Sequence, residues 1–285
     1  MQVSSIRVHP VKSTAIRAVE HAEVGWAGLR GDREWMVVDA TSEMVSARVL
    51  PRLFTIVAST PATGGTGADL QLEAPGMPTL EVTAPTAGAG TAAVRMFRTK
   101  ELVARPVSGT DGGAADMWLR EALARDDLSL VWCDDPTRRR LTVGREGDHA
   151  AFQDGYPVTV ISTASVAQIN AWMAEDAAAR GDEAPEPITV DRLRPNLVID
   201  GVDAPFAEDD WERIRIGDVV LRKAKLVDRC VMTTIDPVDL SRGKDPIRTL
   251  AAHRRWDGKT YAAVHYIPES TGTIDIGATV SVDQA

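Results

Sequence analysis

Cys230 stands in the run Asp228-Arg229-Cys230-Val231-Met232-Thr233-Thr234. A cationic neighbour favours the thiolate over the thiol, and a thiolate is a soft ligand suited to transition metals. Taken alone the residue is as readily a core side chain, because free cysteine is among the most buried residue types. A second candidate is the Ser162-Thr163 pair, where a strand-like run enters a helix-like one. Such a junction offers free backbone N–H groups and a positive dipole end, the geometry that captures phosphate, although most hydroxyl residues at helix starts are ordinary caps. A third is the set Lys12, Arg33 and Arg48, carried by His9-Pro10-Val11-Lys12-Ser13, Gly31-Asp32-Arg33 and Ala47-Arg48. Arginine forks match phosphate and carboxylate edges. Three separate exposed charges are the plainer reading of the same residues.

The elements that must position these groups are mostly short strands. Ile6–Val8, Ala18–Val24, Trp35–Val38 and Leu53–Ala58 read as strands between Gly- or Pro-rich turns. The Ala62–Asp69 and Ala84–Ala93 stretches read as hairpin loops without chemistry. A helix is expected over Ala114–Arg125, with Ala115, Trp118, Leu119, Ala122 and Leu123 on its inner face. Leu128–Trp132 is strand-like and a polar loop follows from Cys133 to Gly155. Pro157–Ile161 is an apolar strand. Ser165 with Gln168 fits a capping box for a helix whose Val166, Ile169 and Met173 face inward. Asp176–Pro187 reads as a polar linker, and Asn196–Asp200 as a strand. Gly217-Asp218 sits between β-branched runs as the turn of a tight hairpin, and the run from Ile274 through Gly277 to Val280 has the same form. The class is mainly β with α, the C-terminal half being consistent with a barrel.

Composition closes off several functions. The chain has 285 residues and a formal net charge of −9, which argues against a general nucleic-acid binder. Arginines nevertheless cluster at Arg138-Arg139-Arg140 and Arg192-Leu193-Arg194, as pockets for a small anion or as solvated charges. The two cysteines, Cys133 and Cys230, are too few for an all-cysteine iron–sulfur or zinc site or for a disulfide framework, which points to a reducing, cytoplasmic compartment. The start of the chain lacks a signal-peptide pattern, and no apolar run reaches the length of a membrane span. The GxSxG, Walker A and HExxH patterns are absent.

The motifs together resemble one family. In order they are Pro10-Val11-Lys12-Ser13, Gly28-Leu29-Arg30-Gly31-Asp32-Arg33-Glu34-Trp35, Ser46-Ala47-Arg48 with Pro51-Arg52-Leu53, and Phe152-Gln153-Asp154-Gly155-Tyr156-Pro157. Then come Leu193-Arg194-Pro195-Asn196, Phe206-Ala207-Glu208-Asp209 with Trp211, Arg229-Cys230-Val231-Met232-Thr233-Thr234 and Gly272-Thr273-Ile274. The chain resembles MOSC-domain proteins with an N-terminal MOSC β-barrel domain, in the branch of the amidoxime-reducing components.

The resemblance implies a β-rich N-terminal domain over residues 1–127 and a MOSC-type β-barrel with a few helices over 128–285. It implies a molybdenum–molybdopterin cofactor with Cys230 as the metal ligand. Lys12, Ser13, Arg33, Arg48, Ser162, Thr163, Arg194 and Asn196 would hold the cofactor's anionic groups. Asp203 lies near a position where relatives carry an aspartate beside the metal, and is a candidate proton donor. The implied activity is reduction of N-hydroxylated compounds such as hydroxylamines, amidoximes and N-hydroxylated bases. No ferredoxin domain or pyridoxal phosphate is expected, so electrons would come from a separate protein. The alternative is a MOSC-type carrier that holds the cofactor, or sulfur, without turnover. Val238-Asp239-Leu240 departs from the Asp-x-Thr-Gly that relatives often carry after the Asp236-Pro237 position.

Overall fold

The computed structural model describes residues 1–284 apart from Thr66, Thr99 and Thr142. Thr66 and Thr142, which the expected loops Ala62–Asp69 and Cys133–Gly155 include, thus lie outside the described residues, as does Ala285. The fold is mainly β with a few helices, as expected. It divides into two compact units that are not continuous segments. The first comprises Met1–Arg7, Glu20–Gly28 and Tyr156–Ala285, and the second Val8–Val19 and Leu29–Gly155. This partition differs from a single division at 127/128. Ser129–Trp132 pairs antiparallel with Trp35–Val38, Ser129 opposite Val38, and so belongs with the earlier residues. Gln2–Val8 pairs with Leu197–Asp200, and so belongs with the later ones.

The first unit is built on a sheet whose neighbouring strands run Val280–Gln284, Trp211–Ile216, Val219–Asp228, Lys259–Pro268, Val158–Ser162, Leu197–Asp200 and Gln2–Val8. Val158–Ser162 is buried along its whole length, which suits its β-branched run. Its pairing with Leu197–Asp200 is parallel. The crossover between them contains the Thr163–Arg180 helix, which packs Ile169 and Met173 against Ile161, Val198 and Leu250. That helix starts at the Ser162 cap, three residues before the expected capping box, and Ser162 Oγ accepts the Ser165 N–H at 3.1 Å. It also runs to Arg180, into the expected linker. Ala177, Ala178 and Ala179 are strong helix formers, and the chain stops only at left-handed Gly181.

The Gly217-Asp218 hairpin is present, with Ile216 opposite Val219. Its expected repeat is not. Gly272–Asp275 pairs with His21–Gly25, whereas Val280–Gln284 pairs with Trp211–Ile216. The two runs share a turn-like spacing and then join different sheets.

The second unit holds two small sheets. One orders Trp35–Val38, Ser129–Trp132, Lys100–Pro106 and Ala92–Met96, and the other Val57–Ser59, Leu70–Glu73 and Leu80–Val82. Ala62–Asp69 joins two antiparallel partners, as a hairpin loop should. Ala84–Ala93 instead leads from one sheet into the other. The Ala114–Leu123 helix buries the five residues expected on its inner face, and the Asp111 carboxylate accepts the Gly113 and Ala115 N–H groups at its start. Leu53–Ala58 is not one strand: with Pro51 leading, residues Pro51–Thr55 form a 3-10 turn before the Val57–Ser59 strand.

Candidate functional site: a cation cluster and a cysteine turn

In the second unit, four loops converge on one polar cluster. Lys12 N–H donates to Trp35 O at 2.8 Å, Arg33 N–H to His9 O at 2.7 Å and Phe152 N–H to Arg33 O at 3.0 Å. Ser13 and Arg33 both adopt left-handed backbone (φ 71° and 53°), which folds each loop sharply back at that point. Beneath them lies Asp32. Its carboxylate accepts the His9 N–H at 2.9 Å and the Arg33 guanidinium at 2.6 Å, and lies 3.0 Å from His9 Nδ1. Burial opposes the charge on Asp32, but Arg33 and His9 outweigh it and hold the carboxyl well below the usual range. Gln153 Nε2 donates to the Asp32 carbonyl at 2.9 Å, tying in the fourth loop.

Lys12 is almost wholly buried. Its ammonium donates to Phe152 O at 2.6 Å and to the Asp154 carboxylate. Burial lowers its pKa to about 8 even though Asp154 works in the opposite direction. Arg48 reaches the other Asp154 oxygen at 3.1 Å, with its guanidinium 4.9 Å from the centre of the Phe97 ring. Desolvation works against the Asp154 charge, and Lys12, Arg48 and Arg33 outweigh it, so this carboxyl too is held below its usual range. Arg139, the middle residue of the triple arginine run, is buried and donates to the carbonyls of Ala151 and Gln153. The structure therefore brings Lys12, Arg33 and Arg48 together and adds Arg139, Asp32 and Asp154. Asp154 was visible in the sequence only as part of a motif, and Arg139 only as one of three adjacent arginines.

A cavity of about 180 Å³ in the same unit is lined by Arg30, Glu34, Asp69 and Trp132 among others. It contains none of the expected site residues. Cys133, in the same unit, is buried, and burial pushes its thiol up to about 12, so it stays protonated and inert.

In the first unit, Cys230 is half-buried and caps a 3-10 turn over Val231–Thr234. Its carbonyl accepts the Thr233 N–H at 3.2 Å and the Thr233 hydroxyl at 3.1 Å. Two arginines stitch this turn to the Val190–Leu193 turn. Arg229 donates to Leu193 O at 2.7 Å, and Arg192 to Thr233 O at 3.0 Å. Arg194 follows directly in left-handed conformation (φ 50°). The arginine loop and the cysteine turn are thus one assembly. Among the described residues no group of three or more His, Cys, Asp or Glu side chains forms a metal cage.

Three expected ligand residues are committed elsewhere. Ser162 is fully buried, and its N–H and hydroxyl both donate to the Glu208 carboxylate, at 3.0 and 2.9 Å. The Ser165 hydroxyl donates to the same carboxylate at 2.6 Å. An internal carboxyl group therefore already meets the donors at this helix start. The Thr163 hydroxyl donates to Asp200 at 2.7 Å. Asn196 is also fully buried; it donates to Arg7 O at 3.1 Å and accepts the Thr159 N–H at 3.1 Å, linking three strands. Asp203 is exposed on the loop after Leu197–Asp200.

Comparison with known proteins accounts for both assemblies lying on one chain. Residues 1–126 match the MOSC N-terminal beta barrel domain and residues 147–281 the MOSC domain. The chain is 31% identical to mitochondrial amidoxime-reducing component 1 from Homo sapiens, over 96% of this chain and 81% of that protein. It is 29% identical to mitochondrial amidoxime reducing component 2 from Bos taurus, over 96% and 81%. The YuaD protein from Bacillus subtilis aligns over 100% of this chain and 96% of its own at 11% identity, with a TM-score of 0.42. On the matched domains and the near full-length relatives, the chain belongs to the MOSC-domain proteins that carry a MOSC N-terminal β-barrel domain, alongside the mitochondrial amidoxime-reducing components.

Proposed function

We propose that the chain binds a molybdenum–pterin cofactor and reduces N-hydroxylated compounds with electrons from a separate protein. The observation that carries this reading is the Lys12 cluster. Four cations, Lys12, Arg33, Arg48 and Arg139, meet within one unit of a chain that is acidic overall. Such a concentration of donors suits a phosphate monoester, the anionic end of the cofactor. Lys12, Arg33 and Arg48 would bind it, with Ser13 beside them. Cys230 would supply the metal's protein ligand. With no side-chain cage among the described residues, the metal's other ligands would come from the cofactor. Arg194 would meet a further anionic group of the cofactor. Ser162, Thr163 and Asn196 keep the structural roles described above.

When bound, the cofactor supplies two-electron removal of oxygen from an N–O bond. The chain's own residues would hold it, the Lys12, Arg33 and Arg48 cations at its phosphate and the Cys230 thiolate at its metal. The Arg229 and Arg192 contacts fix where the Cys230 turn stands. Asp203, exposed and carboxylic, is the proposed proton donor for the hydroxyl that leaves as water. The names of the relatives support the substrate class, since amidoximes are N-hydroxylated.

The test is expression in a host that makes the cofactor, with molybdenum measured per chain. Wild type is expected to carry molybdenum and to turn over an N-hydroxylated base with an artificial reductant. Cys230→Ala is expected to lose most of the metal and all turnover. Equal molybdenum in both proteins would remove Cys230 as the ligand, and metal without turnover would favour the carrier reading.

A further inference from the structure

We propose that Asp154 is an exchangeable internal counter-anion of the Lys12 cluster, whose carboxylate stands where a phosphate monoester binds and rotates out when one arrives. The proposal rests on reading that cluster as the anion end of the cofactor site. The geometry of the carboxylate carries it. One oxygen takes the Lys12 ammonium and the other takes Arg48 Nη2 at 3.1 Å. Two oxygens of one anion spanning two cations is how a phosphate edge would engage the same pair.

The burial gradient agrees. The Lys12 side chain is 4% exposed, that of Arg48 28% and that of Asp154 51%. The carboxylate therefore covers the cations from the solvent side, the side from which a ligand would come. Its backbone, in contrast, is pinned. Arg139 donates to Gln153 O at 2.6 Å and to the Asp154 and Gly155 carbonyls at 3.4 Å, while Lys12 holds Phe152 O at 2.6 Å. Exchange therefore requires rotation of one short side chain into solvent, with the loop left in place.

Asp32 marks the contrast. It is fully buried and held by His9 and Arg33 from several directions, so it is a permanent part of the cluster. With both carboxylates in place, four cations face two anions. Releasing Asp154 adds one more unneutralised charge as the phosphate dianion enters. An internal anion that competes for the same donors lowers the apparent affinity for the external one by the cost of displacing it. Its benefit is that Lys12 and Arg48 are kept paired, and held apart in a receptive geometry, when no oxyanion is bound.

The experiment is calorimetric titration of the full chain with inorganic phosphate at fixed ionic strength, for wild type, Asp154→Asn and Arg48→Gln. Asp154→Asn is expected to bind phosphate at least about tenfold more tightly than wild type, and to melt at a lower temperature without phosphate. Arg48→Gln is expected to bind more weakly. If Asp154→Asn binds as wild type does, or more weakly, while Arg48→Gln is impaired, the counter-anion role is overturned and the anion-end reading stands. If Arg48→Gln binds like wild type, or if none of the three proteins binds phosphate, the reading beneath it falls as well. Asp154→Ala, which removes both oxygens, repeats the measurement should the asparagine variant fail to fold.

Discussion

Lys12 illustrates how burial changes what a familiar residue can do. Its pKa is lowered to about 8 from an ordinary 10.5, with burial the main cause. The unfolded chain therefore binds more protons than the folded one between pH 8 and 10.5, so the Lys12 contribution to stability rises across that window. Oxyanion binding runs the other way, because it needs the ammonium. Phosphate affinity is expected to fall about tenfold as the pH is raised through 8, and to stay level in Lys12→Arg, whose guanidinium remains charged. Titrations between about pH 7 and 9.5 test this; a level wild-type profile would exclude Lys12 from the binding set. Neither the burial of Lys12 nor its partner Asp154 could be read in the linear chain. The interaction spans 142 residues, and the only local sign was a lysine among strand-like neighbours.

At the level of elements, the start of the Thr163–Arg180 helix is the most instructive. The sequence signals a strand entering a helix, and the structure has that junction. What it places at the helix start is Glu208, from the far side of the crossover, fully buried and accepting three hydrogen bonds. A carboxylate there offsets the dipole end and satisfies groups that would otherwise be orphaned. Glu208→Ala leaves the Ser162 N–H and two hydroxyls buried without their acceptor, and is expected to cost about 3 kcal/mol of stability in urea unfolding. A loss below about 1 kcal/mol would show that the helix start tolerates an unfilled anion position, and would reopen Ser162 and Thr163 as ligands. Helix faces were legible because 3.6-residue periodicity is local; the identity of the capping anion is a matter of which distant loop folds back.

Across the whole molecule, chain order and compact units do not coincide. Ser129–Trp132 completes the sheet of Trp35–Val38, with Trp132 opposite Trp35 and their rings stacked 5.8 Å apart. A fragment of residues 1–127 lacks that strand, and the Gln2–Val8 partner Leu197–Asp200 as well. It is expected to give the collapsed, poorly dispersed NMR spectrum of an incompletely packed domain, where the full chain gives a native one. A well-dispersed fragment spectrum would mean that the first 127 residues fold alone. Among the described residues no helix is long and apolar enough to cross a membrane. The sequence by itself determined the family, the mainly β class, the Ala114–Leu123 helix face and the candidates Cys230, Lys12, Arg33 and Arg48, because motif identity, periodicity and residue chemistry are local properties. Only the tertiary structure decided that Lys12 and Arg48 share one carboxylate, that Arg139 pins the loop carrying it, and that Ser162 and Asn196 are already engaged. Those outcomes depend on long-range closure, in which a buried polar group takes whichever partner the fold brings within reach.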